Sequence, residues 1–113
     1  MRVTPAMTNL VGSIHGGALA SLIDIATTIA ISGFDRKQRV HVSSDLNISF
    51  LSAAAVNADI LILSDCIKIG KRLAFTECNI YDGDGEVLLS TGRHTKTFLD
   101  GKFYFGEEIS VKE

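Results

Sequence analysis

A chain of 113 residues is long enough to bury one core and small for a self-sufficient enzyme. A hydrophobic content of 46% with 21% charged residues excludes a disordered tail and argues against a collagen-like or disulfide-rich scaffold. The 11 basic and 13 acidic side chains leave a net charge of −2, which gives no support to a general nucleic-acid binder, since that would need a basic excess.

The opening residues hold no apolar core of a secretory leader and too few arginines and serines for a transit peptide. Cys66 and Cys78 lack the spacing of a paired motif and read as free thiols in a reducing compartment, so an intracellular, cytoplasmic protein is expected. The stretch that follows is the informative one. Asn9, Gly12, His15, Gly16 and Gly17 lead into an apolar run that reaches Phe34 with Asp24 as its one charged residue. Leu19, Leu22, Ile23, Ala26, Ile29 and Ala30 recur at helical spacing, which predicts a helix over residues 16–33 that ends at Gly33. Ile25 and Ile31 add apolar character elsewhere on the helix, so it is expected to be covered on most faces. The segment is about long enough to span a bilayer. Asp24 at its centre, with Ser21, Thr27 and Thr28, favours a core helix over a membrane span. A lone carboxylate there is either exposed or retained for a reason, because burial of an unpaired charge is strongly unfavourable. Residues 35–39 read as a solvated connection.

From Val40 the hydrophobic period changes to two. Val40, Val42, Leu46, Ile48 and Phe50 fall on one face and His41, Ser43, Asp45, Asn47 and Ser49 on the other, with the alternation broken at Ser44. Further strands are predicted over residues 59–69, 72–81 and 86–99. The turns between them, at Gly70 and Lys71 and at residues 82–85, are rich in residues that accept positive φ. The expectation is one α+β domain over residues 1–113, a long helix followed by an antiparallel meander of four strands that curves around it. Residues 100–113 either add an edge strand or stay loose.

No nucleophile elbow, Walker loop or dinucleotide fingerprint is present. His15, His41 and His94 lack metal-ligand spacing, and a hairpin turn explains the acidic run at residues 82–86, so neither a metal nor another cofactor is expected. Lys68, Lys71 and Arg72 surround the first hairpin, and Arg93, His94 and Lys96 lie on the last strand. Each set reads either as solvated strand-end charge or as a grip for a polyphosphate. For Asp24 the plain alternative is a structural carboxylate capped by neighbouring hydroxyls, and for the paired glycines a helix-starting turn. Together they supply a carboxylate base and helix-terminal N–H groups that face a developing oxyanion. Between His15 and Asp24 a helix rises roughly 13 Å and turns through about 900°, which leaves the two half a turn out of phase. They can hardly meet on one carbonyl within one chain. A site that uses both therefore predicts a homodimer with its sites at the interface.

Taken in order, the pattern from Asn9 through His15, Gly16 and Gly17 to Asp24, the strand at residues 42–50, the hairpin at residues 68–76 and residues 92–96 resembles the hotdog-fold acyl-CoA thioesterases. It resembles in particular the thioesterase superfamily member 2 type (acyl-CoA thioesterase 13), and the resemblance spans most of residues 9–96. It implies a sheet wrapped around a helix, homodimers that commonly pair into homotetramers, and hydrolysis of medium- or long-chain fatty acyl-CoA to fatty acid and coenzyme A. By the same resemblance Asp24 activates water or attacks directly, Gly16 N–H polarises the thioester carbonyl, Asn9 and His15 position that carbonyl and its loop, and Ser43 helps hold the water. Phe50, Leu51, Ser52, Ala53, Ala54 and Ala55, with Lys68, Ile69, Gly70, Lys71, Arg72 and Leu73, correspond to the coenzyme A contacts. Coenzyme A is then part of the substrate and no cofactor is implied, while a mitochondrial location is compatible with the family. Three departures stand out. Only eight residues precede Asn9, so the helix and most of the strand that open the family domain are expected to be absent. Ala53 follows Ser52 where relatives carry proline, and the tail beyond Leu99 is longer than the family pattern. An aryl-CoA thioesterase, and a non-catalytic acyl-CoA-binding module of the same fold, are the alternatives.

Overall fold

The computed structural model describes residues 1–9 and 12–108. A single 3-10 turn at Pro5–Met7 precedes helix α1 (Gly16–Phe34), and four strands follow: β1 (Arg39–Phe50), β2 (Ile60–Ile69), β3 (Leu73–Asp82) and β4 (Leu88–Phe103). The helix starts at His15, whose Nδ1 accepts the Gly17 N–H at 2.9 Å and so satisfies one of the first-turn donors. It runs one residue beyond the expected end at Gly33 and stops where Asp35 turns extended. The connection that follows is solvated only in part, with Arg36 and Lys37 exposed. Asp35 is buried, and its carboxylate accepts the backbone N–H groups of Lys37 at 3.2 Å and Arg39 at 2.7 Å.

The sheet order is β1-β4-β3-β2, antiparallel throughout. Strands β2, β3 and β4 follow one another through hairpins as expected, but the meander stops there, because β1 pairs with β4 and not with β2. Residues 51–59 do not close a hairpin between β1 and β2, although Ala58 N–H donates to Ala55 O at 3.1 Å across a turn at Val56 and Asn57. They are held instead by the N-terminal segment, with Val3 N–H donating to Ala58 O at 2.8 Å, Asn57 N–H to Val3 O at 2.8 Å and Ile60 N–H to Met1 O at 2.6 Å. A chain so anchored crosses from one edge of the sheet to the other.

α1 lies on one face of the curved sheet and buries Leu19, Ile23, Thr27 and Ile31, a stripe at four-residue spacing. These side chains meet Cys78, Ile80 and Leu89 near the start of the helix, and Ala74 and Phe98 near its end. A Cβ at Gly92 would fall 2.9 Å from Ile23 Cγ2, so a bare backbone at that position lets the helix sit as close as it does. By length and composition α1 also qualifies as a membrane span, but its stripe is packed on the sheet. The expectation of a helix covered on most faces is corrected: the chain covers one stripe, and Ile25 and Ile29 remain 57% and 65% exposed.

The break at Ser44 is a β-bulge. Ser43 pairs with Lys96 and Asp45 with Thr95, so one extra residue sits between them and the side-chain alternation reverses. His41 and Ser43 therefore share the helix-facing side with Ile48, where strict alternation put them on opposite faces. At the other end, β4 runs on to Phe103, and Tyr104 N–H donates to Gln38 O at 2.8 Å, so residues 100–103 extend an existing strand. Residues 109–113 lie outside the described residues.

Candidate active site

Midway along α1, the side chain of Asp24 is 52% exposed, so the carboxylate is not buried within its own chain. The hydroxyls of Thr27 and Thr28 donate to the Asp24 backbone carbonyl at 3.1 and 2.8 Å and not to its carboxylate, so neither caps it. What faces it comes from β4. Nδ1 of the fully buried His94 lies 3.7 Å from Asp24 Oδ1 and 2.8 Å from Thr27 Oγ1, and its Nε2 lies 2.7 Å from Ser43 Oγ. Burial lowers the His94 pKa first, and the Lys96 ammonium adds to that, while Asp24 and Asp45 oppose it. Burial and Lys96 thus favour the neutral imidazole, in which form its approach to Asp24 is not an ion pair. The negative charge beside Nδ1 favours the proton on that nitrogen, which leaves Nε2 to accept the Ser43 hydroxyl proton.

Lys96 completes the cluster. It is buried, and its Nζ donates to Thr28 Oγ1 at 3.0 Å. Burial lowers its pKa and Asp24 works in the opposite direction. The second basic set is thereby corrected: His94 and Lys96 point inward beneath α1, and of the three only Arg93 is an exposed cation. Sequence reasoning placed His94 in the basic set of the last strand and not beside Asp24. Its place at even positions with Gly92 and Phe98, both on the inward side, was the available signal.

Asn9, His15 and Gly16 gather at the start of α1. Asn9 Oδ1 accepts from the Ser13 N–H at 3.3 Å and from its hydroxyl at 3.4 Å, and His15 N–H donates to Met7 O at 2.6 Å. The two glycines differ in purpose. A Cβ on Gly17 would lie 3.0 Å from His15 Nδ1, so the capping imidazole requires that space. A Cβ on Gly16 would make only ordinary contact with the Phe50 ring at 3.6 Å, and the Gly16 N–H is one of the first-turn donors without an intrahelical acceptor. Gly16 and Asp24 are about 12 Å apart along the axis, so one chain places Asp24 and Ser43 beside the same imidazole but keeps Asn9, His15 and Gly16 away from them.

The segments expected to meet coenzyme A lie at opposite ends of α1. Phe50 and Leu51 are exposed near the helix start. Leu51 and Ser52 both donate to Leu89 O, at 2.9 and 3.0 Å, and the Ala54 carbonyl accepts the Ile14 N–H at 2.7 Å. Ala53 lies between these anchors, and Ala55 bridges to Ser13. Lys68, Ile69, Gly70, Lys71, Arg72 and Leu73 lie beside the helix end, where Ile69, Gly70 and Lys71 help line a cleft of about 260 Å³ with Phe34, Asp35, Arg36, Lys37 and Arg39. Lys68, Lys71 and Arg72 are exposed, as either reading of that set requires. A helix of this length separates the two groups by about 28 Å.

Residues 11–89 match the family model of the thioesterase superfamily. Acyl-coenzyme A thioesterase 13 of Homo sapiens is 38% identical over 96 residues, which cover 85% of this chain and 68% of that protein. The crystal structure of zebra fish thioesterase superfamily member 2 superposes with a TM-score of 0.83 at 37% identity, over 88% of this chain and 71% of that one. The Mus musculus member 2 structure gives 0.78 at 35% identity, over 86% and 70%. The fold is therefore the expected hotdog arrangement, a curved antiparallel sheet on a single long helix.

Proposed function

Because the chain belongs to the thioesterase superfamily and is a thioester hydrolase, we propose that its substrate is a fatty acyl-CoA, cleaved to the free fatty acid and coenzyme A. The observation that carries the proposal is the half-exposed Asp24 carboxylate beside a neutral His94 that in turn holds Ser43. Ser43 Oγ and Asp24 hold a water, and Asp24 takes its proton as the oxygen attacks the thioester carbon. The carbonyl becomes a tetrahedral oxyanion that accepts a hydrogen bond from the Gly16 N–H at the positive end of a helix, with Asn9 and His15 fixing the loop. Collapse breaks the C–S bond, and the proton held on Asp24 goes to the departing thiolate. His94 is a positioning residue that aims Ser43 through Nε2.

The separation along α1 supports a site built from two chains, with Asp24 and Ser43 from one and Asn9, His15 and Gly16 from its partner. The exposure of Ile25 and Ile29 supports the same homodimer, and a dimer of dimers is compatible with it. The test is Asp24→Asn, assayed against a panel of acyl-CoA thioesters of increasing chain length together with phenylacetyl-CoA. Turnover falls by about 10²-fold or more, the scale of a lost general base, while folding and coenzyme A binding persist. Turnover by the variant at the wild-type rate overturns the mechanism, and preference for the aromatic thioester moves the substrate to the aryl-CoA class.

A further inference from the structure

The β2–β3 turn carries Lys71 and Arg72 between Ile69 and Leu73, and its side chains are exposed. A hairpin tip of this kind is normally among the looser parts of a sheet. This one is tied down from outside the hairpin. Arg39, the first residue of β1, donates from Nη1 to both Gly70 O and Lys71 O at 3.1 Å. Its Nε and Nη2 donate to the Asp35 carboxylate at 3.3 Å, and its guanidinium carbon lies 3.7 Å from the centre of the Phe98 ring. Phe98 N–H donates to Arg72 O at 2.8 Å, so the turn is held on a second side. One planar fork thus joins the end of α1, the start of β1 and the β2–β3 turn. Asp35 neutralises the Arg39 charge, while Lys71 and Arg72 keep theirs for an anion in or beside the cleft.

We infer that Arg39 is a positioning residue for recognition of the phosphate-bearing end of coenzyme A. It fixes the turn backbone so that Lys71 and Arg72 meet anionic oxygens in one preset geometry, which removes the ordering cost a loose turn would carry into binding. The inference rests on the acyl-CoA reading for the identity of the ligand. It does not require that the bound thioester be hydrolysed.

The experiment is calorimetric titration of coenzyme A, and separately of pantetheine, which lacks the phosphorylated nucleotide, into the wild-type chain, Arg39→Ala and Arg39→Lys. The lysine variant keeps a cation beside Asp35 and so keeps the fold, but it cannot reproduce the fork that holds the two turn carbonyls. Both variants bind coenzyme A roughly tenfold more weakly, equivalent to about 1.4 kcal/mol, with pantetheine affinity unchanged. KM for acyl-CoA rises in parallel, with kcat close to wild type. Adding Lys71→Ala to Arg39→Ala costs less affinity than Lys71→Ala alone, because the two act through the same turn. Equal weakening toward both ligands identifies general damage and overturns the inference. So does coenzyme A affinity within twofold of wild type, or a wild-type chain that does not bind coenzyme A. A wild-type chain that binds coenzyme A but hydrolyses no acyl-CoA refutes the hydrolase reading and leaves the Arg39 comparison decisive.

Discussion

His41 is buried with neither ring nitrogen hydrogen-bonded among the described residues, edge-on to Phe98 at 6.0 Å and to Tyr104 at 5.5 Å. Burial, then the Lys96 ammonium, lowers its pKa from 6.5 to about 4, with Asp35 opposing and His94 adding slightly. The unfolded chain takes up a proton near pH 6.5 and the folded chain does so only near 4, so between these values the unfolded state binds more protons. Stability is therefore complete above the unfolded pKa and falls as pH drops toward the folded one, by roughly 3 kcal/mol at most. His94 is shifted in the same direction and adds to the slope. His41→Leu removes two unbonded nitrogens and flattens much of this dependence, as urea unfolding near pH 7.5 and about pH 5 will show. A variant that loses as much stability on acidification as the wild type refutes the assignment. At this scale Asp24 was legible as the single charge in an apolar helix. The inward direction of Ser43 was not, because the break in alternation at Ser44 marks an irregularity without showing that it reverses the strand's faces.

At the scale of elements, the contact between α1 and β4 fixes the site. Gly92→Ala puts a Cβ 2.9 Å from Ile23 Cγ2 and 3.4 Å from Asn47 O, and Ile23 is the residue next to Asp24. The helix must shift, at a cost of about 1–3 kcal/mol, and the Asp24–His94 spacing shifts with it. The urea midpoint and kcat should fall together. Gly33→Ala is the contrasting case, with nothing within 4 Å of the added Cβ, and it should raise stability by up to about 1 kcal/mol through helix propensity alone. If the two alanine variants prove equally stable, the close approach at Gly92 is not what sets the helix position. The helix and all four strands were legible to within a few residues from their periods. The pairing of β1 with β4 was not, since alternation reports which face is apolar and not which strand lies alongside.

For the whole molecule, Ile25 and Ile29 give α1 an apolar face that its own sheet does not cover. Ile29→Glu should convert a dimer to a monomer in sedimentation velocity and abolish turnover, although Asp24, Ser43 and His94 stay intact in each chain. A mixture of Asp24→Asn and His15→Ala chains tests shared sites directly. Random pairing makes about half the dimers mixed, and each mixed dimer keeps one complete site, so roughly one quarter of wild-type activity returns. A mixture as inactive as its parts would refute the two-chain site. The sequence by itself determined the elements, the exposed hairpin cations, and Asp24 and the paired glycines as the residues to watch, because each is a local property of spacing and chemistry. Tertiary structure alone decided that His94 and Lys96 turn inward to meet α1, that Arg39 reaches across to the β2–β3 turn, and that the two segments expected to meet coenzyme A lie at opposite ends of the helix. Those facts depend on strand order and on one bulge, which arise from contacts between residues far apart in the chain and so leave no periodic signal within any single segment.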